Sequence, residues 1–155
     1  MAQVGSPAPD FTLKGSIGTQ DTEVSLKNLK GKNVVVLFYP LDFSPVCSVQ
    51  IPDFNAKLDA IRAKNAEVIA INRDSAYAHK AWSEHLGGVK FPLLSDLNLA
   101  VSKQFGMALE EVGITNRGVI IIDKNGKIAF KHVEAKPPDN TLEVERVLNE
   151  LDKLK

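Results

Sequence analysis

The sequence predicts a three-layer α/β domain built on a mixed central sheet. Three observations carry this expectation. Continuous apolar, β-branched runs at residues 33–39, 66–71 and 118–122 suit strands buried on both faces. Between them lie stretches whose apolar residues recur every three or four positions, the helical period. A further strand and an amphipathic helix follow the last of these runs, and the strand returns through a tight turn.

Each element has its own warrant. Residues 11–24 form an arm ahead of the first run and suit an edge hairpin extension. Asn33 to Tyr39 is the first central strand. Ile51, Phe54, Leu58 and Ile61 then mark one helix, and Pro52 within it is expected to kink it. Residues 66–71 are the next strand. Ala78, Ala81, Trp82, His85 and Leu86 mark a second helix, closed by Gly87-Gly88. Residues 99–105 suit a short third helix. Gly118–Ile122 is a strand, and Asn125-Gly126 in the loop behind it is a strong hairpin signal. Ile128–Val133 is therefore read as an antiparallel return. Leu142, Val144, Val147, Leu148 and Leu151 mark a C-terminal amphipathic helix. No Pro/Gly-rich linker or repeat interrupts the chain, so residues 1–155 are expected to form a single domain.

Charge excludes some classes of partner. Lys and Arg number 19, as do Asp and Glu, so the net charge is zero. That balance argues against the basic surplus or stripe of a nucleic-acid binder and against a polybasic membrane anchor. The longest apolar run is far short of a membrane span. The N-terminal stretch carries Asp10, Lys14 and Asp21 without an apolar core, so no secretory signal is expected and the expected compartment is the cytoplasm. Cys47 is the one cysteine, which precludes an intramolecular disulfide and a Cys-rich zinc site. His79, His85 and His132 lack metal-ligand spacing and read as surface or packing residues. Glu110-Glu111 reads as a solvated face, and no cofactor is implied.

Cys47 is the informative residue. Ser44 is a preferred helix N-cap and Pro45 suits the first helical position, so Val46 and Cys47 fall in the first turn after the central strand. The first-turn N–H groups lack intrahelical partners and favour negative charge. A free thiol of pKa about 8.5 is only slightly ionised at pH 7, and a helix N-terminus with a nearby cation lowers that value. The thiolate is the nucleophile. Two readings stand on these residues: a buried small hydrophobe, or an activated thiol.

Four segments in order go further. Pro40-Leu41-Asp42-Phe43-Ser44-Pro45-Val46-Cys47 resembles the Pro-x-x-x-(Thr/Ser)-x-x-Cys motif of the peroxiredoxins, the AhpC/TSA superfamily. Val4 to Leu13 resembles their N-terminal segment, Phe91-Pro92-Leu93-Leu94-Ser95-Asp96 their mid-chain segment, and Asn116-Arg117-Gly118 their arginine region. Val46-Cys47-Ser48-Val49-Gln50 is similar to the Q-type (bacterioferritin-comigratory) branch, and residues 113–118 are similar to the one-cysteine E-type branch.

The resemblance implies a thioredoxin-like fold and a thiol-dependent peroxidase acting on hydrogen peroxide and small organic hydroperoxides. It makes Cys47 the residue that attacks peroxide and becomes sulfenic acid. Ser44 would hydrogen-bond the peroxide, Arg117 would hold thiolate and polarised oxygens, and Pro40 and the Val46 backbone would shape the pocket. Arginine suits this role because it stays charged and offers rigid donors. Ser44 also reads as a simple cap, and Gln50 either orients Arg117 or faces solvent. Trp82 reads as core or interface packing. Leu41, Phe43 and Val46 either admit alkyl groups or face the core.

Two departures matter. Serine replaces the commoner threonine but keeps the hydroxyl. Pro52 stands where many Q-type relatives carry a resolving cysteine, so the resemblance implies a one-cysteine mechanism reduced by an external thiol: thioredoxin, glutaredoxin or a low-molecular-weight thiol. A homodimer is expected on the same grounds. The competing reading is a redox sensor or relay that signals Cys47 oxidation to a partner protein.

Overall fold

The structure, a computed structural model, describes residues 3–44, 47–134 and 143–154, and of Cys47 the backbone only. In chain order the elements are β1 (Thr12–Ile17), β2 (Gln20–Ser25), a 3-10 turn (Leu26–Leu29), β3 (Asn33–Phe38), α1 (Cys47–Ala56), α2 (Leu58–Arg62), β4 (Ala66–Asn72), α3 (Ala76–His85), β5 (Leu93–Ser95), α4 (Ala100–Gln104), β6 (Ala108–Leu109), β7 (Ile114–Thr115), β8 (Gly118–Ile122), β9 (Ile128–Val133) and α5 (Val144–Asp152).

The main sheet runs β2-β1-β5-β4-β3-β8-β9. β3 pairs in parallel with β4, and β4 with β5, while β8 lies antiparallel to β3 and β9 antiparallel to β8. The sheet is therefore mixed, as its sequence pattern predicts. Strand periodicity divides the core into two layers, because successive side chains point to opposite faces. Val35 and Leu37 join Ile51, Phe54, Leu58, Ile61, Trp82, Val147 and Leu151 on one face. Val34, Val36 and Phe38 join Phe11, Leu26, Val101, Phe105 and Met107 on the other. Helices α1, α2, α3 and α5 thus supply the first layer. The second comes from α4, the 3-10 turn and the N-terminal arm. This is a thioredoxin-like α/β/α arrangement.

The arm does more than decorate an edge. β1 pairs antiparallel with β2 in full register and with β5 on its other side, so the hairpin continues the sheet. Gly15 permits that approach, since a Cβ there would lie 2.0 Å from the Leu93 carbonyl oxygen. The expected single helix after β3 is instead two. α1 ends at Ala56 and α2 begins at Leu58, with Lys57 at φ −101° and ψ 12° between them. Pro52 lies inside α1, five residues ahead of the break. Ile51, Phe54, Leu58 and Ile61 all remain buried, so the apolar stripe survives the interruption. The short strands β5, β6 and β7 and the 3-10 turn were not anticipated. Leu142, expected at the start of the last helix, lies outside the described residues.

Candidate active site

The sheet register explains why distant residues meet. Phe38 at the end of β3 pairs with Gly118 at the start of β8, and Gly118 pairs with Val133 at the end of β9. Residues just past these ends — the loop from Tyr39, Arg117 and Glu134 — therefore share one edge of the sheet, where α1 also begins. The carboxyl ends of parallel strands are where sites gather in α/β folds.

Arg117 is buried there, 5% exposed. Its Nη1 donates to Gln50 Oε1 at 3.0 Å, and its Nε lies 3.6 Å from Glu134 Oε2. The Glu134 N–H also donates to the Arg117 carbonyl at 2.9 Å. Gln50 stands three residues beyond Cys47 on α1, and residues so spaced are neighbours on a helix surface. The guanidinium is thus docked within one turn of the cysteine. Gly118 fixes the start of β8: a Cβ there would lie 2.5 Å from the His132 carbonyl oxygen and 2.8 Å from Met107 Cε.

The Ser44 carbonyl accepts from the Ser48 N–H at 2.9 Å, the bond that opens α1, so its backbone holds the cap position. Its hydroxyl instead donates to the Leu41 carbonyl at 2.9 Å, which tightens the loop. Pro40 is half-buried at the head of this loop. Pro45 and Val46 lie outside the described residues. Phe43 adopts φ +66°, a left-handed conformation costly for an aromatic residue and held only where surroundings dictate it. Its ring rests 6.4 Å from Trp82 and 5.6 Å from His85. Leu41 and Phe43 are exposed and do not face the core. Trp82 is fully buried, stacks on Tyr39 with centroids 5.5 Å apart, and donates Nε1–H to Ser48 Oγ at 3.3 Å.

Sequence reasoning missed two sets of residues. Glu134 is the charged partner of Arg117, and its only signal is an acidic residue directly after a strand. Of the surface and packing readings His79 takes the second, being fully buried, but its pairing with Asp42, Nδ1 2.6 Å from Oδ2, had no signal in the sequence. Among the described residues no helix is long and apolar enough to cross a membrane, and no group of His, Cys, Asp and Glu has the arrangement to hold a metal ion. A cavity of about 250 Å³ lined by Ala8, Leu26, Lys30, Val34 and Ile122 contains none of the predicted site residues.

The AhpC/TSA family model matches residues 4–131. The chain is 39% identical over 153 residues to a protein of the Clostridium pasteurianum rubredoxin operon assigned as a peroxiredoxin, covering 91% of this chain and 86% of that one. It is 36% identical over 149 residues to a thioredoxin peroxidase of Fasciola hepatica, covering 92% and 77%. Among solved structures it superposes on Enterococcus faecalis AhpC with a TM-score of 0.91 at 28% identity, covering 99% of this chain and 92% of that one. The fold thus places the chain in the thioredoxin-like class. The chain belongs to the AhpC/TSA family, the peroxiredoxins, which are thiol-dependent peroxidases.

Proposed function

We propose that this chain reduces hydrogen peroxide and small organic hydroperoxides by a one-cysteine mechanism, with Cys47 as the reacting thiol. The observation that carries this reading is the buried Arg117 guanidinium bound to Gln50, one helical turn from the only cysteine. The Cys47 thiolate bonds to one peroxide oxygen as the O–O bond breaks. The other oxygen leaves with the electron pair as hydroxide or alkoxide and takes up a proton, giving water or an alcohol. Cys47 is left as sulfenic acid. Arg117 faces the charge that develops on the oxygens, where fixed donors lower the barrier. Ser44, whose own proton is given to Leu41, serves the peroxide as an acceptor that orients its O–H. Pro40 and the Val46 backbone complete the pocket in this reading.

Regeneration needs an external thiol. One thiol displaces water from the sulfenic acid and forms a mixed disulfide with Cys47, and a second releases Cys47 and leaves in a disulfide. The names of the relatives favour thioredoxin as the donor; glutaredoxin and low-molecular-weight thiols are the other outcomes of a turnover assay. A working thiol suits a reducing compartment, so the activity is placed in the cytoplasm.

The test is the stopped-flow rate of Cys47 oxidation by hydrogen peroxide from pH 4 to 9, with Cys47→Ser as blank. The expected result is a fast second-order rate that rises through a midpoint well below the ordinary thiol value of about 8.5. A slow rate tracking that ordinary value, with organic hydroperoxide as well, would sink the peroxidase reading. Fast oxidation without turnover on any added thiol would instead favour the sensor or relay.

A further inference from the structure

Asp42 stands in the loop that leads to Cys47, and the mechanism above makes no use of its carboxylate. Asp42 Oδ1 accepts from Tyr39 Oη at 2.7 Å and from Asn72 Nδ2 at 3.1 Å. Asp42 Oδ2 faces His79 Nδ1 at 2.6 Å. The Asp42 N–H donates to Asp74 Oδ2 at 2.7 Å, and Asn72 ties the two carboxylates together by donating to Asp74 Oδ2 at 3.2 Å as well. On its far side, His79 Nε2 lies 3.2 Å from the Leu94 carbonyl oxygen. Side-chain exposure is 0% for His79 and 1% for Asp42.

Proton counting decides what holds this cluster together. The Leu94 carbonyl only accepts, so His79 Nε2 must carry a proton. A neutral ring then has no proton left on Nδ1, where a bare carboxylate oxygen would face a bare lone pair at 2.6 Å. The contact closes only with one further proton between Nδ1 and Oδ2. The pair therefore shares one proton, and Tyr39 and Asn72 donate to the same carboxylate. This joins α3 to the loop between β3 and α1, the loop in which Phe43 takes its left-handed conformation and Ser44 opens the helix.

We propose that the Asp42–His79 pair, with its shared buried proton, is the positioning device of the Cys47 loop, setting where Ser44 and the first turn of α1 stand relative to Arg117. The proposal rests on the peroxidase reading only for its consequence in rate. His79 and Asp42 are positioning residues, acting through the loop and touching no peroxide.

Two variants and one spectrum test it. In Asp42→Asn the amide oxygen still accepts from Tyr39 and Asn72, and the amide N–H donates to a neutral His79 Nδ1, so every hydrogen bond survives without the shared proton. His79→Leu leaves the Asp42 carboxylate without its partner. Nitrogen-15 NMR of the parent at pH 7 is expected to show His79 Nε2 protonated and the further proton at Nδ1, shared with Asp42, and Asp42→Asn only the first. Stopped-flow oxidation of Cys47 by hydrogen peroxide, per folded molecule, is expected to slow by about 10²-fold in His79→Leu, the scale of an ångström-level misplacement, and by less in Asp42→Asn, which keeps the hydrogen bonds and loses the shared proton. A role in stability alone would lower the melting temperature of His79→Leu and leave its rate per folded molecule unchanged, which overturns the proposal. A parent pair without that further proton also overturns it, whether or not His79→Leu folds. If the parent itself fails to react with peroxide, the peroxidase reading falls. The ring spectrum, and the rate of Cys47 alkylation by iodoacetamide in parent and His79→Leu, then still decide the positioning claim.

Discussion

Arg117 shows how much a single side chain can carry and how much of its setting stays hidden. An arginine directly before a wholly apolar strand calls for an explanation, and Gln50 reads from sequence as either its orienting partner or a solvent-facing residue. The structure joins them at 3.0 Å. Glu134, Asp42, Asn72 and His79 were not legible, because a charged or polar residue in sequence looks the same whether it will be solvated or paired across 37 residues, as His79 and Asp42 are. The prediction at this scale uses Arg117→Lys. Lysine keeps a positive charge beside Glu134, which avoids stranding a buried carboxylate. It loses the rigid fork that reaches Gln50 and, in the proposed mechanism, the reacting oxygens together. The expected outcome is a folded protein whose Cys47 oxidation rate falls by about 10²-fold, read by stopped-flow, in line with the loss of one fixed donor.

Long, strongly patterned elements were readable, and short ones were not. β3, β4, β8 and β9 each hold a run of apolar residues long enough to show a period, whereas β6 and β7 hold two residues each and β5 three. Such pieces exist because neighbouring strands offer them hydrogen bonds, which is tertiary information. The break between α1 and α2 was likewise invisible, since the apolar stripe continues across Lys57 undisturbed. Pro52 remains a local weakness: it has no N–H for the Ser48 carbonyl. Pro52→Ala restores that donor and is expected to stabilise the protein by about 1–3 kcal/mol. Melting temperature should rise by roughly 2–4 °C for each kcal/mol gained in a domain of this size. A calorimetric scan that finds Pro52→Ala no more stable than the parent would show that the helix has already adapted to the ring.

The whole molecule has two apolar layers and one sheet between them. Both layers draw on the same strands, with Val35 and Leu37 facing one way and Val34 and Val36 the other. Neither layer can be lost alone, so the chain is expected to unfold as one unit, consistent with the single domain proposed from sequence. Trp82, the only tryptophan, lies in the first layer and serves as its reporter. Its emission and far-UV circular dichroism are expected to change together in urea; separated transitions would divide the chain into more than one unit. The homodimer proposed from resemblance adds a second readout, because a dimer raises the unfolding midpoint as protein concentration rises. A midpoint independent of concentration would argue for a monomer.

The strand order also governs how the chain must assemble in time. The hairpin of β1 and β2 is complete after 25 residues, yet its neighbour β5 begins only at residue 93. The central strand β3 likewise waits for β8, which starts at residue 118. A growing chain therefore carries its first hairpin with an unpaired edge until β5 is made, and its central strand β3 with one until β8 is made. Closure depends on contacts far apart in sequence, the property that slows folding and exposes sticky intermediates. The loop that leads to Cys47 follows that central strand, so the end of the molecule proposed as reactive is fixed only when β8 docks beside β3, late in the life of the nascent chain.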